Sequence, residues 1–301
     1  MGNLWYHLVA GLCQGAIFSL IALGYTLVYG IIKLINFAHG EFCMLGAYAG
    51  YAIFVLLAGH VPLAVLLPTI ILASGLAGAV IGSLTERLAY RPIRQAGRLS
   101  ALLTAIGVSL LLQNLAKFIH NGNPITYGGA LGELAQRSIT VGTGGIRAIT
   151  FLYIPASIGL TVALWFLVQR TRLGRAMRAI SQDLIAARLM GIDTDAVINR
   201  TFIIGGFLGG IAGTLIALVA VVEPLMGFMP GLNAFVASVV GGIGSIPGAF
   251  VGGYVLGVVQ FLVVWAGVPT AFKDVASFVL LILVLMVRPE GILGRREQVK
   301  V

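Results

Sequence analysis

Within Ile31–Tyr48, "IIKLINFAHGEFCMLGAY", an amide, an imidazole and a carboxylate fall inside six positions: Asn36, His39 and Glu41. Together they can donate and accept hydrogen bonds, and the last two can exchange a proton. A second unusual stretch, "VVGGIGSIPGAFVGGY" at 239–254, places Gly241, Gly242, Gly244, Ser245, Pro247 and Gly248 close together. Long apolar runs flank both stretches. The candidate functional set is therefore Asn36, His39, Gly40 and Glu41 in the first, and Gly241, Gly242 and Ser245 in the second. Enzyme chemistry finds little support elsewhere. No Cys or His cluster has metal-ligand spacing, and neither GxSxG nor HExxH occurs. The lysines are Lys33, Lys117, Lys273 and Lys300, none of which follows a glycine. A GxxxxGK[ST] phosphate loop is thus impossible, so the chain does not hydrolyse nucleotide itself. No catalytic or metal-binding set is expected. Transport fits better.

The surrounding elements explain why these residues stand out. The chain has 301 residues, of which 59% are hydrophobic and 10% charged, and its mean hydropathy is +1.02. A soluble domain of that length needs far more polar surface. About 20 apolar residues cross a ~30 Å hydrocarbon core. Apolar segments fall near 4–32, 42–58, 61–85, 99–119, 149–168, 201–222, 232–246, 248–267 and 271–287. Some are short for a simple crossing, and tilt, kinks or re-entry leave eight spans and nine both open. Backbone groups in lipid must bond within their own segment, and no alternating barrel pattern occurs. The expectation is an all-α polytopic membrane protein, one transmembrane domain over 1–301, with two glycine-rich broken or re-entrant segments.

The start, "MGNLWYHLVAGLCQGAIF", has no Lys or Arg before its apolar run and reads as a retained first span. Cys13 and Cys43 lie in or beside apolar segments, as packing residues do, and imply no disulfide framework. Glycines recur four apart at Gly11/Gly15, Gly46/Gly50, Gly78/Gly82, Gly209/Gly213, Gly248/Gly252 and Gly253/Gly257. That spacing lets helix backbones approach closely. Interrupted apolar segments in corresponding halves point to a transporter's central path. Two ordinary turns at the membrane surface are the competing reading. A carboxylate at the bilayer centre costs roughly 2.5–3.5 kcal/mol or more. Glu41 therefore faces an aqueous cavity or sits at the interface, whereas Glu223, just before Pro224, reads as interfacial. His39 fits a hydrogen-bonded packing role better than a proton switch.

Net charge is +9, yet fourteen of the nineteen Lys and Arg lie in 86–98, 169–200 and the tail from 288. This clustering argues for the positive-inside rule and against nucleic acid, and it puts all three segments in the cytoplasm. The N-terminus is then outside, the C-terminus inside, and 120–148 the largest external loop. Segment 169–200 contains "QRTRLGRAMRAISQDLIAARLMGIDTDAVINR". Met177, Ile180, Leu184 and Ala187 share one face of a short amphipathic helix that Gly191 ends. Its return into the membrane suits a protrusion that docks into a cytoplasmic partner.

Five collinear pieces carry a family resemblance: "ALGYTLVYGIIKLINFAHGEF", "ERLAYRPIR", "GRAMRAISQDLIAARLMGI", "VVGGIGSIPGAFVGGYVLG" and "RPEGILGRRE". From Gly11 to Val301 the chain resembles the branched-chain amino acid ABC permease family, in its smaller, LivH-type subunit. The resemblance implies two halves of opposite orientation, which would make the two glycine-rich breaks partners. It also implies a bacterial inner-membrane location and pairing with a larger permease. Two cytosolic ATPases would bind ATP and Mg, leaving this chain without a cofactor. An external binding protein would deliver leucine, isoleucine or valine. Family members of this type meet their ATPases through an EAA-x-x-x-G motif. Here Ala186, Ala187 and Gly191 match it, Ile185 stands in place of the glutamate, and Asp183 is the nearest carboxylate. The I-x-L-P that should follow is absent. Urea, short amides or other neutral amino acids are alternative cargoes. A proton-coupled carrier is a further alternative, and it would need Glu41 or His39 to titrate.

Overall fold

Polar side chains cap five of the described helices, through Asn3, Thr171, Asp183, Asp193 and Ser245. The computed structural model describes residues 3–94, 96–127, 137–142 and 144–294. Asn3 accepts the Trp5 N–H at 3.0 Å and starts α1 (Leu4–Ile32), a side-chain cap on donors that the helix itself leaves free. The first half continues with α2 (His39–Leu57), α3 (Leu63–Ile93) and α4 (Arg98–His120). A hairpin of β1 (Ser138–Val141) and β2 (Gly144–Arg147) follows, with Ser138 opposite Arg147. Next come α5 (Tyr153–Arg170), α6 (Arg172–Gln182) and α7 (Leu184–Leu189). The second half is α8 (Thr194–Ala217), α9 (Phe228–Gly241), α10 (Ile246–Trp265) and α11 (Lys273–Val287).

Near its end α3 widens into a π turn over Glu86–Tyr90. Pro92 has no N–H to continue the ordinary ladder, and the Arg91 N–H reaches back five residues to the Glu86 carbonyl.

The halves pack reciprocally. α1 lies along α10 as α8 lies along α3, and α9 rests on α1 as α2 rests on α8. The pairs α2–α3 and α9–α10, and α2–α4 and α9–α11, complete the correspondence. Glycine seams hold the two long contacts. A Cβ on Gly11 would come 2.9 Å from the Val258 Cα, and one on Gly15 would come 2.7 Å from the Tyr254 Cα. In the other seam a Cβ on Gly78 would collide with the Gly206 carbonyl, and one on Gly82 with the Phe202 carbonyl. These contacts convert the four-residue glycine spacing into specific helix pairs.

The two ends of the bundle are distinct. Asn3 and Tyr6 pack against Gly142 and Gly144 of the hairpin, and Arg147 donates to the Val219 carbonyl at 2.8 Å. At the other end lie Gly30 beside Gly244, the π turn, α6 and α7. The Ile292 and Leu293 N–H groups bond the Val240 and Gly241 carbonyls there. The described residues therefore begin at Asn3 and end at Gly294 on opposite sides. Eight described helices are long and apolar enough to cross a membrane, and α9 is shorter. Non-helical 218–227 leads into α9. The described parts of all three arginine-rich segments gather at the end opposite the hairpin. Residues 128–136 and 143 of the 120–148 connection, and the tail beyond 294, lie outside the described residues.

One sequence expectation needs correction. The single amphipathic helix through Met177 and Ala187 is two helices, broken at Asp183. The Asp183 carboxylate accepts the Ile185 and Ala186 N–H groups at 2.8 and 2.9 Å and starts a new helix. Met177, Ile180 and Ala187 are nevertheless buried, as their spacing requires.

Valine at Gly15 or Gly206 should cost about 1–3 kcal/mol through overpacking. Valine at Gly107, where nothing lies within 4 Å of a built Cβ, should leave the melting temperature in detergent unchanged. For orientation, single cysteines at Ser138 and Gln182, in a background lacking Cys13 and Cys43, report the two ends. An impermeant maleimide should label the first in intact spheroplasts and the second only after lysis.

Candidate functional site

The break after α1 turns the chain back into the bundle. Lys33 adopts φ 53° at the helix end, and residues 33–36 are non-helical. Asn36, 2% exposed, organises the return. Its Oδ1 accepts the Ala38 N–H at 3.0 Å and the Tyr90 hydroxyl at 2.8 Å. α2 then begins at His39, which fills space left by Gly24 on α1 and lies beside Gly205 and Gly209 on α8. Gly24 stands eight residues before Ile32, about 12 Å at 1.5 Å per residue. The N-terminus of α2 is therefore inside the bundle, near the middle of α8. His39 is held by rings, with centroids 4.8 Å from Tyr25 and 5.3 Å from Phe42. The hydrogen-bonded packing role expected for it is only half met. Packing holds it, and neither ring nitrogen has a hydrogen-bond partner.

The partner of this break is not the one expected. The start of α9 meets Gly40: a Cβ on Gly231 would come 2.8 Å from the Gly40 Cα, and one on Gly227 would strike the Gly40 carbonyl. Two helix N-termini, running in opposite directions, thus cross at mid-depth. Gly241, Gly242 and Ser245 lie at the far end of α9, about 20 Å away along its 14 residues. There Gly242 and Gly244 take φ of 110° and 91°, Gly242 packs on Leu293 and Gly294, and Gly241 packs on Gly248. Ser245 caps α10, accepting the Gly248 N–H at 3.2 Å. The glycines of 241–248 make a tight turn and a close helix pair. The crossing itself uses Gly227 and Gly231, which the sequence hid between two apolar segments.

Glu41 follows the crossing and is 1% exposed, enclosed between α2 and α4. Its Oε1 accepts Ser109 Oγ–H at 2.9 Å and Gln113 Nε2–H at 2.8 Å from α4, and Oε2 has no partner. Ser109 and Gln113 were missed, although four-residue spacing of polar groups in an apolar helix is a readable signal. A cavity of about 510 Å³ opens here, bounded by Tyr25, Gly40, Ser109, Gln113, Gly231 and aliphatic side chains of α4 and α9. In the second half, Asp274 accepts the Asn233 amide at 2.9 Å, and Gln260 donates to Ser277 at 2.7 Å. Among the described residues no group of three or more His, Cys, Asp or Glu could hold a metal ion.

At the end carrying α6 and α7, Ala186, Ala187 and Gly191 lie where the docking segment was expected. Ala187 is buried, and Gly191 takes φ 81° after the helix. Asp183 is spent on capping. The exposed tip is apolar: Ile185, Leu189 and Met190 are 72%, 84% and 82% exposed. Asp195 joins this segment to α3 through ion pairs with Arg91 at 2.7 Å and Arg94 at 2.5 Å. Arg94 also pairs with buried Glu86, which accepts the Asn199 amide at 3.0 Å. Tyr90, at the end of the same π turn, bonds Asn36. Ion pairs therefore run from the α7–α8 junction to Glu86, and the backbone of the π turn connects Glu86 to Tyr90 and the start of α2.

The family described as "Branched-chain amino acid transport system / permease component" matches residues 7–285. The chain belongs to that family. The permease is 44% identical over 305 residues to the "High-affinity branched-chain amino acid transport system permease protein LivH" of Salmonella typhimurium, covering 97% of this chain and 96% of that one. The corresponding protein BraD of Pseudomonas aeruginosa is 41% identical over 311 residues, covering 98% and 99%. A ribose import permease, RbsC of Haemophilus influenzae, is 24% identical over 291 residues, covering 94% and 84%.

The geometry separates crossing from turn. Gly231→Val in this permease should part α2 from α9 and abolish uptake while the protein still inserts. Ser245→Ala should lose about 1 kcal/mol of capping energy and keep uptake per inserted copy within about twofold. Initial uptake rates, normalised to inserted protein, compare the two.

Proposed function

We propose that this multi-pass inner-membrane permease is one of two transmembrane subunits of an ATP-driven importer of leucine, isoleucine and valine. A second, larger permease completes the path, two cytosolic ATPases bind ATP and Mg, and an external binding protein delivers cargo. The observation that carries this reading is the meeting of two helix N-termini at Gly40 and Gly227–Gly231, beside a largely apolar cavity. An amino acid resists dehydration at both its charged groups. Broken helices offer fixed dipoles at mid-depth without placing charged side chains in lipid. Aliphatic walls match aliphatic cargo.

The exposed Ile185, Leu189 and Met190 supply an apolar knob for an ATPase groove. Here the contact is apolar rather than acidic, because Asp183 is folded back into its helix. Closure of the ATPases would push on α7, and the ion pairs from Asp195 through Arg94 reach Glu86, whose π turn also carries Tyr90 and its bond to Asn36. Movement of that turn would reposition the start of α2 and shift the permease pair between inward- and outward-facing states.

Leucine uptake into proteoliposomes holding the whole assembly should require ATP and survive collapse of the proton gradient. Paired Leu189→Asp and Met190→Asp substitutions should lower cargo-stimulated ATP hydrolysis about tenfold, as loss of a central apolar anchor does. Uptake that disappears with the gradient, ATP being maintained, would establish a proton-coupled carrier instead.

A further inference from the structure

Glu41 poses a problem of chemistry that its own neighbours leave unsolved. The carboxylate is 1% exposed, and both its donors, Ser109 and Gln113, are neutral. Oε2 is without a partner in either protonation state. As a carboxylate oxygen it lacks a donor, and as a carboxylic O–H it lacks an acceptor. A buried polar atom left in that condition is costly, more so when charged. A group that arrives with positive charge and several N–H donors would remove the cost.

The adjoining cavity can deliver such a group. Its volume of about 510 Å³ lies within the ~300–1,000 Å³ of small-molecule sites. Its polar lining is concentrated on the α4 wall, where Ser109 and Gln113 stand in front of Glu41. Gln113 commits its amide hydrogens to Glu41 and to Ser109 Oγ at 3.3 Å, leaving its carbonyl oxygen as an acceptor. The rest of the lining is apolar: Leu102 and Ile106 on α4 itself, with Phe37, Leu225 and Phe228 from the other segments. Gly40 and Gly231 also line it, which brings the positive ends of α2 and α9 to the same space.

We propose that this cavity is a substrate station in which Glu41, with Ser109 and Gln113, takes the α-ammonium of an aliphatic amino acid while Phe37, Ile106 and Phe228 surround its side chain. The station rests on the importer reading and adds to it the recognition of cargo inside the membrane. Glu41 lies behind Ser109 and Gln113, which line the cavity, and the ammonium supplies the donor that Oε2 lacks when those two side chains make way. The cargo carboxylate faces the two helix starts. A ligand with the same carbon skeleton but no ammonium leaves Glu41 as unsatisfied as before and does not stay.

The test uses Ile106→Cys in the complete assembly, in a background lacking Cys13 and Cys43. Millimolar leucine should slow maleimide labelling of that position, and 4-methylpentanoate, the same skeleton without the ammonium, should not. Glu41→Gln should remove the protection and lower leucine uptake about tenfold or more, the scale of one hydrogen bond to a charged group. Glu41→Asp should restore part of both. The binding protein's own affinity for leucine, measured separately, should not move. Equal protection by both ligands, or unchanged uptake and protection with Glu41→Gln, overturns the station and leaves the importer reading intact. If Glu41→Gln fails to assemble, absence of leucine protection in the Ile106→Cys assembly overturns the station alone. Failure of the parent assembly to take up leucine with ATP is the separate result that would defeat the importer reading.

Discussion

Every backbone N–H and C=O in the hydrocarbon region needs a partner inside the protein, and this requirement governs the rest of the structure. It explains the long helices directly. It also explains how two of them can start inside the bundle, where uncapped donors would otherwise face lipid. Glycine allows α2, α8, α9 and α1 to touch backbone to backbone around the two breaks. Asn36 ties the 33–38 return to Tyr90 and to the start of α2. The breaks are tolerated because they are enclosed by protein.

The same close packing produces the symmetry. Once α1 lies on α10 through Gly11 and Gly15, and α3 on α8 through Gly78 and Gly82, the remaining helices have little choice of position. Because the two halves run in opposite directions, α2 and α9 approach mid-depth from opposite sides and present like ends to one another. Positive ends that face each other repel. An anionic or carboxylate-bearing visitor relieves that repulsion, as does Glu41 in the first turn of α2. The crossing is thus held together by packing while its electrostatics remain open to a ligand.

At the end carrying α6 and α7 the design changes from glycine packing to charge. Glu86 is buried against Arg94 and Asn199, and Asp195 holds both Arg91 and Arg94. Removing one member of such a set strands another, so these groups act as a unit. The unit joins the π turn to the α7–α8 junction. Tyr90, on the same π turn, bonds Asn36 at the α1–α2 break, so the backbone of that turn connects the two.

Much of this was legible in the sequence because lipid imposes simple rules. Hydropathy set the type of the spanning elements and bounded their number at eight or nine, arginine placement set which connections share a side, and four-residue glycine spacing announced close helix pairs. Met177, Ile180 and Ala187 showed their buried face, and Asn36, His39 and Glu41 announced a polar break. Tertiary structure alone decided which partners met. Both 241–248 and 227–231 contain glycines near a helix end, and only the direction of α9 puts Gly227 and Gly231 at mid-depth and Gly241 at the surface. Asp183 could have offered its charge to a partner, but two free N–H groups at the start of α7 claimed it first. Ser109 and Gln113 became Glu41's donors because α4 packs on α2, a contact between residues 68 and 72 positions apart. Local chemistry depends on neighbours in sequence and can be read there. A site built from distant segments depends on how helices cross, and that is fixed only when the whole bundle closes.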